Sequence, residues 1–159
     1  MEIFISVLAL FATFWNLHLQ RVHNAKSLKP LGQIDLVDSK KKIYIFIQNS
    51  GVGPLIIDKL IFTKNGKQYS SISECLNLDP KSYYHMLIND AVKKVVSPNS
   101  HFIVFEKNIE HDTDIVIEEI RKQLSSISVM VNCLDIYDNK SSFERNLDWF
   151  SRHMIDKVN

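Results

Sequence analysis

Charge of either sign is missing from one long stretch near the start of the chain. Between Glu2 and Arg21, the residues Ile3 to Gln20 (IFISVLALFATFWNLHLQ) carry no group that is charged at neutral pH. Net charge is also small overall: 19 basic side chains against 18 acidic ones give +1, which argues against a generally basic nucleic-acid surface. Cysteine is scarce. Cys75 and Cys133 both sit on apolar stretches and read as buried thiols of a cytoplasmic domain, without a disulfide. No Cys/His pair has zinc spacing. Gly51-Val52-Gly53 is followed neither by a third glycine and a helix nor by Gly-Lys-Ser/Thr, so nucleotide-loop geometry is missing. Internal repeats and low-complexity segments are absent, and no cofactor is implied.

What fills the uncharged stretch is a membrane-span candidate. As a helix it would run about 27 Å at ~1.5 Å per residue, slightly less than a ~30 Å hydrocarbon core. Trp15, Asn16 and His18 are thereby expected at one interface, with Arg21 and His23 just beyond it. A cleaved signal is not the reading, because a basic n-region and a small-residue cleavage site are both missing. A soluble core helix would carry a polar face of ordinary width. The chain thus divides into residues 1–29, a transmembrane helix with a juxtamembrane extension, and residues 30–159, a cytoplasmic β-sandwich domain of about 130 residues, enough to bury a core.

Small and polar residues inside the stretch are spaced as a seam. Glu2, Ser6, Ala9, Thr13, Asn16, Gln20, His23 and Ser27 follow one another at alternating intervals of 4 and 3, which puts them on one helix face. Small and hydroxyl-bearing residues let helices approach closely in lipid, and side-chain amides hydrogen-bond between them. Ser6, Ala9, Thr13, Asn16 and Gln20 therefore predict a homo-oligomer associated through this helix. The competing reading is a lone anchor, in which Ser6 and Thr13 bond to their own helix backbone. Beyond the span, Arg21, Lys26, Lys29 and Lys40-Lys41-Lys42 follow. Basic residues that flank a span stay cytoplasmic, so the expected placement is the inner membrane in a single pass, N-terminus outside and domain inside. Arg21, Lys26 and Lys29 would then face the lipid headgroups.

Further along, Gln33 to Leu36 and Ile43 to Ile47 read as strands. In Gln48-Asn49-Ser50-Gly51-Val52-Gly53-Pro54 one strand ends and a tight crossover leads to the next, which begins at Leu55. Asn65-Gly66 between β-type segments signals a hairpin. Ser70 to Asp79 is ambiguous, and Lys81 to Lys94 mixes helical and irregular signals. His101 to Phe105 is a strand. Asp112 to Leu124 predicts a helix with Ile115, Ile117, Ile120 and Leu124 on its apolar side. Ile127 to Ile136 is a strand, Tyr137 to Lys140 a turn, and Phe143 to Trp149 a closing strand, with a polar tail from Arg152 onward expected to fray. Roughly seven strands with one or two helical insertions make the fold mainly β (α+β), an immunoglobulin-like β-sandwich behind a transmembrane helix.

An apolar helix leading into Arg21-Val22-His23-Asn24 and Ser27-Leu28-Lys29-Pro30 is followed by a strand that ends in Asn49-Ser50-Gly51-Val52-Gly53-Pro54. A helix then precedes the strand that ends Asp135-Ile136-Tyr137-Asp138. This order resembles a loosely defined group of small bacterial proteins with one N-terminal transmembrane helix and a cytoplasmic β-sandwich containing an Asn-x-Gly-x-Gly-Pro turn. The likeness covers most of the chain and carries over no catalytic residue. It is also similar, in architecture alone, to small membrane-anchored effectors of antiphage defence.

Candidate chemistry is sparse. His111, Asp112 and Asp114 are the residues a metal-dependent hydrolase would use, although acids also favour a helix start. Tyr83-Tyr84-His85-Met86 is an aromatic cluster that either packs or recognises a ligand. The expectation is a non-enzymatic membrane-anchored module whose β-domain binds a partner encoded in the same operon or a small ligand, and which self-associates as a membrane effector would. The alternatives are an enzyme using His111, Asp112 and Asp114, or a soluble subunit whose first helix docks on a partner protein.

Overall fold

A computed structural model of the chain describes residues 2–86, 88 and 93–153. Its first element, α1 (Glu2–Ser27), is one unbroken helix, about 39 Å long at 1.5 Å per residue. It ends ahead of Pro30, in accord with the restriction a proline places on the residue before it. Ten further elements follow: β1 (Gly32–Asp38), β2 (Lys42–Asn49), β3 (Leu55–Lys64), β4 (Lys67–Tyr69), β5 (Tyr84–His85), β6 (Lys94–Val96), β7 (His101–Asn108), α2 (Asp114–Ser125), β8 (Ile127–Leu134) and β9 (Lys140–Asn146). Short 3-10 turns occupy Ile72–Glu74, Pro80–Ser82 and Asp148–His153.

The strands form two antiparallel sheets. One has the order β1-β2-β7-β5; in the other, β4 and β6 share one edge of β3, followed by β8 and β9. The chain crosses between the sheets from β2 to β3, from β4 to β5, from β5 to β6, from β6 to β7 and from β7 to β8. Relabelled in chain order, the sheets correspond to A-B-E-D and C′-C-F-G, the strand order of an immunoglobulin-like sandwich, with β6 added and α2 filling the E–F crossover. Inward-pointing Ile34, Ile43, Ile45, Ile47 and Phe105 of one sheet join Leu55, Leu60, Phe62, Val129 and Val131 of the other in one buried core. The alternation changes phase at Asp58, where a bulge in β3 sets Ile57 opposite Cys133 but Lys59 opposite Asn132. That extra residue moves the inward set from odd to even positions. Asn65 and Gly66 have φ of 51° and 75°, and Lys64 pairs with Lys67 across them, as the Asn-Gly hairpin predicts.

Four expectations are corrected. The mixed segment Lys81 to Lys94 holds a turn and the short strands β5 and β6; residues 87 and 89–92 lie outside the described ones. The helix begins at Asp114 rather than Asp112, and Ile115 is 80% exposed because, of the four expected apolar residues, only Ile117, Ile120 and Leu124 share the inward face at intervals of three and four. The closing strand stops at Asn146, since Leu147 and Phe150 drop into the core from the 3-10 turn that follows. Within that strand Arg145 is half-buried and donates to the Ile34 carbonyl of the other sheet. The start of the tail is also anchored. Arg152 lies 3.2 Å over the Trp149 ring and 3.6 Å from Asp38, whose carboxylate already takes two bonds from Arg121, 2.9 and 3.0 Å. Asp38 so clamps α2 and the 3-10 turn against β1; residues 154–159 lie outside the described ones.

Candidate functional site

None of α1 packs on the sandwich from residue 3 to residue 24: every side chain there is exposed. Phe11, Trp15 and Phe14 are 70%, 67% and 63% exposed. The helix is long and apolar enough to cross a membrane, and none of its apolar window is buried. At about 100° per residue, Ser6, Ala9, Thr13, Asn16 and Gln20 fall within an arc of about 80°. Phe4, Leu8, Phe11 and Trp15 crowd the opposite side. The Thr13 hydroxyl donates to the Ala9 carbonyl at 2.8 Å, so it is satisfied within its own helix. Among the described residues, the Asn16 and Gln20 amides have no intramolecular partner.

Where α1 meets the sandwich, the Asn-x-Gly-x-Gly-Pro segment acts as a socket for the helix exit. Asn49 ends β2 fully buried, and its side chain makes four hydrogen bonds. Oδ1 accepts from the Leu31 amide at 3.2 Å and the Gly51 amide at 3.0 Å. Nδ2 donates to the Gly53 carbonyl at 2.8 Å and the Val96 carbonyl at 3.0 Å. One amide side chain thus ties together the linker after α1, the crossover loop and β6. The Ser50 amide adds a bond to the Leu31 carbonyl, 2.8 Å. Glycine is required here for close approach: a Cβ on Gly53 would lie 1.7 Å from the Leu28 carbonyl oxygen, and one on Gly51 would lie 2.3 Å from the Leu31 nitrogen. The crossover expected from the sequence is present, and it doubles as the mount that fixes the helix to the domain.

The basic residues expected at one interface separate into two groups. Arg21, Lys26 and Lys29 stay at the helix exit, exposed and without a carboxylate partner among the described residues. Lys40, Lys41 and Lys42 do not join them. They lie at the far end of β1, about 20 Å of strand away at ~3.3 Å per residue, where Lys41 pairs with Glu110 at 3.4 Å and Lys42 with Glu106 at 2.9 Å. Lys140, distant in sequence, takes their place. With Lys26 and Lys29 it lines an open cleft of about 450 Å³ between the end of α1 and the β8–β9 turn. Sequence reasoning missed both Lys140 and the role of Asn49. The asparagine two positions ahead of Gly51-Val52-Gly53-Pro54 was the only signal for the second.

His111, Asp112 and Asp114 do not form a shared site. Asp112 pairs at 3.2 Å with Lys107, a buried lysine that also donates to the Ser82 carbonyl at 3.3 Å, and Asp114 opens the first turn of α2. Among the described residues, no three His, Cys, Asp or Glu side chains are grouped to hold a metal. Tyr83 of the aromatic cluster packs inward, 5.2 Å from Phe105 between ring centroids. Burial, aided by the nearby Asp79 carboxylate, pushes its phenol above the ordinary value. Both thiols are free and buried. Burial raises each, Cys75 to about 11, while a hydrogen bond with Ser141 partly offsets the rise at Cys133.

Fold and site together define an immunoglobulin-like sandwich joined through the Asn49 loop to an exposed apolar helix. No family model and no curated protein matches the chain. Among solved structures it is similar to the archaellum periplasmic stator protein FlaG from Sulfolobus acidocaldarius, at 11% sequence identity and a TM-score of 0.28, over 72% of this chain and 100% of that one. A TM-score of that size carries no argument about fold or function.

Proposed function

We propose that the chain is a single-pass, membrane-anchored, non-enzymatic module whose helices associate in the bilayer while the sandwich binds a partner or a small ligand. The observation that carries the reading is the bare apolar cylinder of α1. Twelve large apolar side chains from Ile3 to Val22 are exposed. Their removal from water is worth on the order of 18–36 kcal/mol at ~1.5–3 kcal/mol each. A continuous apolar surface of this extent marks a membrane or protein contact, and lipid meets the demand around the whole circumference. The cations Arg21, Lys26 and Lys29 after the span, without a carboxylate partner among the described residues, favour a cytoplasmic sandwich at the inner membrane, N-terminus outside. The polar arc from Ser6 to Gln20, with two amides that lack a partner among the described residues, supports association of several copies. Such clustering is the property on which a membrane-effector role in antiphage defence would turn. Binding is preferred to catalysis because Asp112, one of the acids an enzyme here would use, is committed to Lys107.

Two measurements test this reading. Carbonate extraction of membranes should leave the chain in the pellet; release into the supernatant would instead indicate a soluble subunit docked by α1 on another protein. Crosslinking in membranes should give oligomer ladders that weaken in a Ser6→Leu/Thr13→Leu/Asn16→Leu variant. Ladders of unchanged strength would refute association along this face.

A further inference from the structure

We propose that the cleft between the end of α1 and the β8–β9 turn holds the phosphate of an anionic phospholipid. This rests on the membrane reading above and adds a specific site to it. Three lysines line the cleft: Lys26 and Lys29 from the helix exit, and Lys140 from the first position of β9. None has a carboxylate partner among the described residues. The acid on the same wall, Asp135, is occupied by its own turn. It accepts from the Tyr137 amide at 2.8 Å, the Asn139 amide at 2.9 Å and the Asn139 side chain at 2.8 Å. Burial works to raise its pKa, but these bonds together outweigh burial and hold it below the ordinary carboxylate value. Among the described residues, the lining therefore keeps an excess of positive charge, with the Asp135 carboxylate turned to a structural task.

The remaining wall is apolar. Val22, Ala25 and Pro30 continue the greasy surface of the span to the rim, so a phosphate bound by the lysines would have its glycerol and acyl chains directed along α1. Lys26 lies six residues beyond Gln20, about 9 Å at 1.5 Å per residue, which a lysine side chain spans when it reaches back into a headgroup layer. A free phosphate would use the same three cations but would gain nothing from the apolar side. The volume of about 450 Å³ is that of an ordinary ligand cleft. Lipid binding here would also press the β8–β9 turn toward the bilayer and fix the sandwich's tilt through the Asn49 socket.

The test uses the full-length protein in vesicles of mixed phosphatidylglycerol and phosphatidylcholine, extracted into mild detergent, with retained lipid counted by native mass spectrometry. The parent protein should retain phosphatidylglycerol in preference to phosphatidylcholine. Lys26→Gln and Lys140→Gln should each lower that preference about fivefold, the factor that ~1 kcal/mol per basic residue implies. Lys140→Arg should preserve it, and so should Lys122→Gln on the distant helix α2. No preference in the parent, or a preference unmoved by Lys140→Gln, overturns the proposal. Displacement of the retained lipid by inorganic phosphate at constant ionic strength would assign the cleft to a free anion and overturn the lipid source. Carbonate extraction of the same samples separates the two levels of the reading. A chain that leaves the membrane refutes the span itself, whereas a chain that stays but shows no lipid preference refutes only the cleft.

Discussion

A Gly53→Ala substitution would place a methyl group 1.7 Å from the Leu28 carbonyl oxygen, 2.6 Å from its carbon and 3.4 Å from its Cα. All three are backbone atoms, so no side chain can swing away. An ordinary C···O contact is about 3.3 Å, and the helix exit would have to retreat by roughly 1.6 Å to reach it. A shift of that size breaks the 2.8 Å bond from the Ser50 amide to the Leu31 carbonyl and strains both bonds that Asn49 Nδ2 donates. Overpacking of this kind costs about 1–3 kcal/mol, and a buried polar group left unpaired adds a comparable amount. A total near 3 kcal/mol should lower the melting temperature of a domain this size by about 10 °C. Thermal unfolding of the full chain in detergent, followed by near-ultraviolet circular dichroism, measures this. Val52→Ala is the control within the same loop, because Val52 is 68% exposed and its loss should move the midpoint by less than about 2 °C. A Gly53→Ala protein that melts within about 2 °C of the parent would refute the account of the loop as a backbone-on-backbone socket.

Two more consequences follow from buried groups. Asn49→Ala would leave the Leu31 and Gly51 amides and the Gly53 and Val96 carbonyls without their shared partner, at a cost of about 2–4 kcal/mol by the usual penalty for unpaired buried groups. The variant should also expose the linker after α1 to limited proteolysis, and a resistant linker with an unchanged melting point would count against the role given to Asn49. Cys75, raised from 9.0 to about 11 by burial, should react with a thiol reagent at pH 8 about a hundredfold more slowly than an ordinary thiol, the factor set by two pKa units. Its folded value lies above its unfolded one, so the stability it contributes is intact below about pH 9 and is lost as pH rises toward about 11. A Cys75→Ala protein should therefore lose part of the decline in stability over that alkaline range, and an identical decline in parent and variant would contradict the assignment.

The sequence by itself determined those features that are written locally. An apolar run without charge forms a helix of its own length, because every backbone group is satisfied within the segment. The seam spacing of Ser6 to Gln20 is a property of helical periodicity alone. The β-branched and aromatic content of β2 and β8 marked them as strands, and Asn65-Gly66 set its own turn because only such residues accept two successive positive φ values cheaply. The Lys40-Lys41-Lys42 run shows the limit of this reasoning. Its nearness to the span in sequence is undone by β1, which carries it some 20 Å off, while Lys140 returns to the helix exit through the β8–β9 turn. Likewise, nothing local distinguishes a glycine that merely turns the chain from one, like Gly53, that must clear a carbonyl 25 residues earlier. The bulge at Asp58, the inward Phe150 and the Asp38 clamp on two arginines have the same origin. Each depends on pairing between strands or helices far apart in the chain, and such contacts exist only once the sheets have closed on one another.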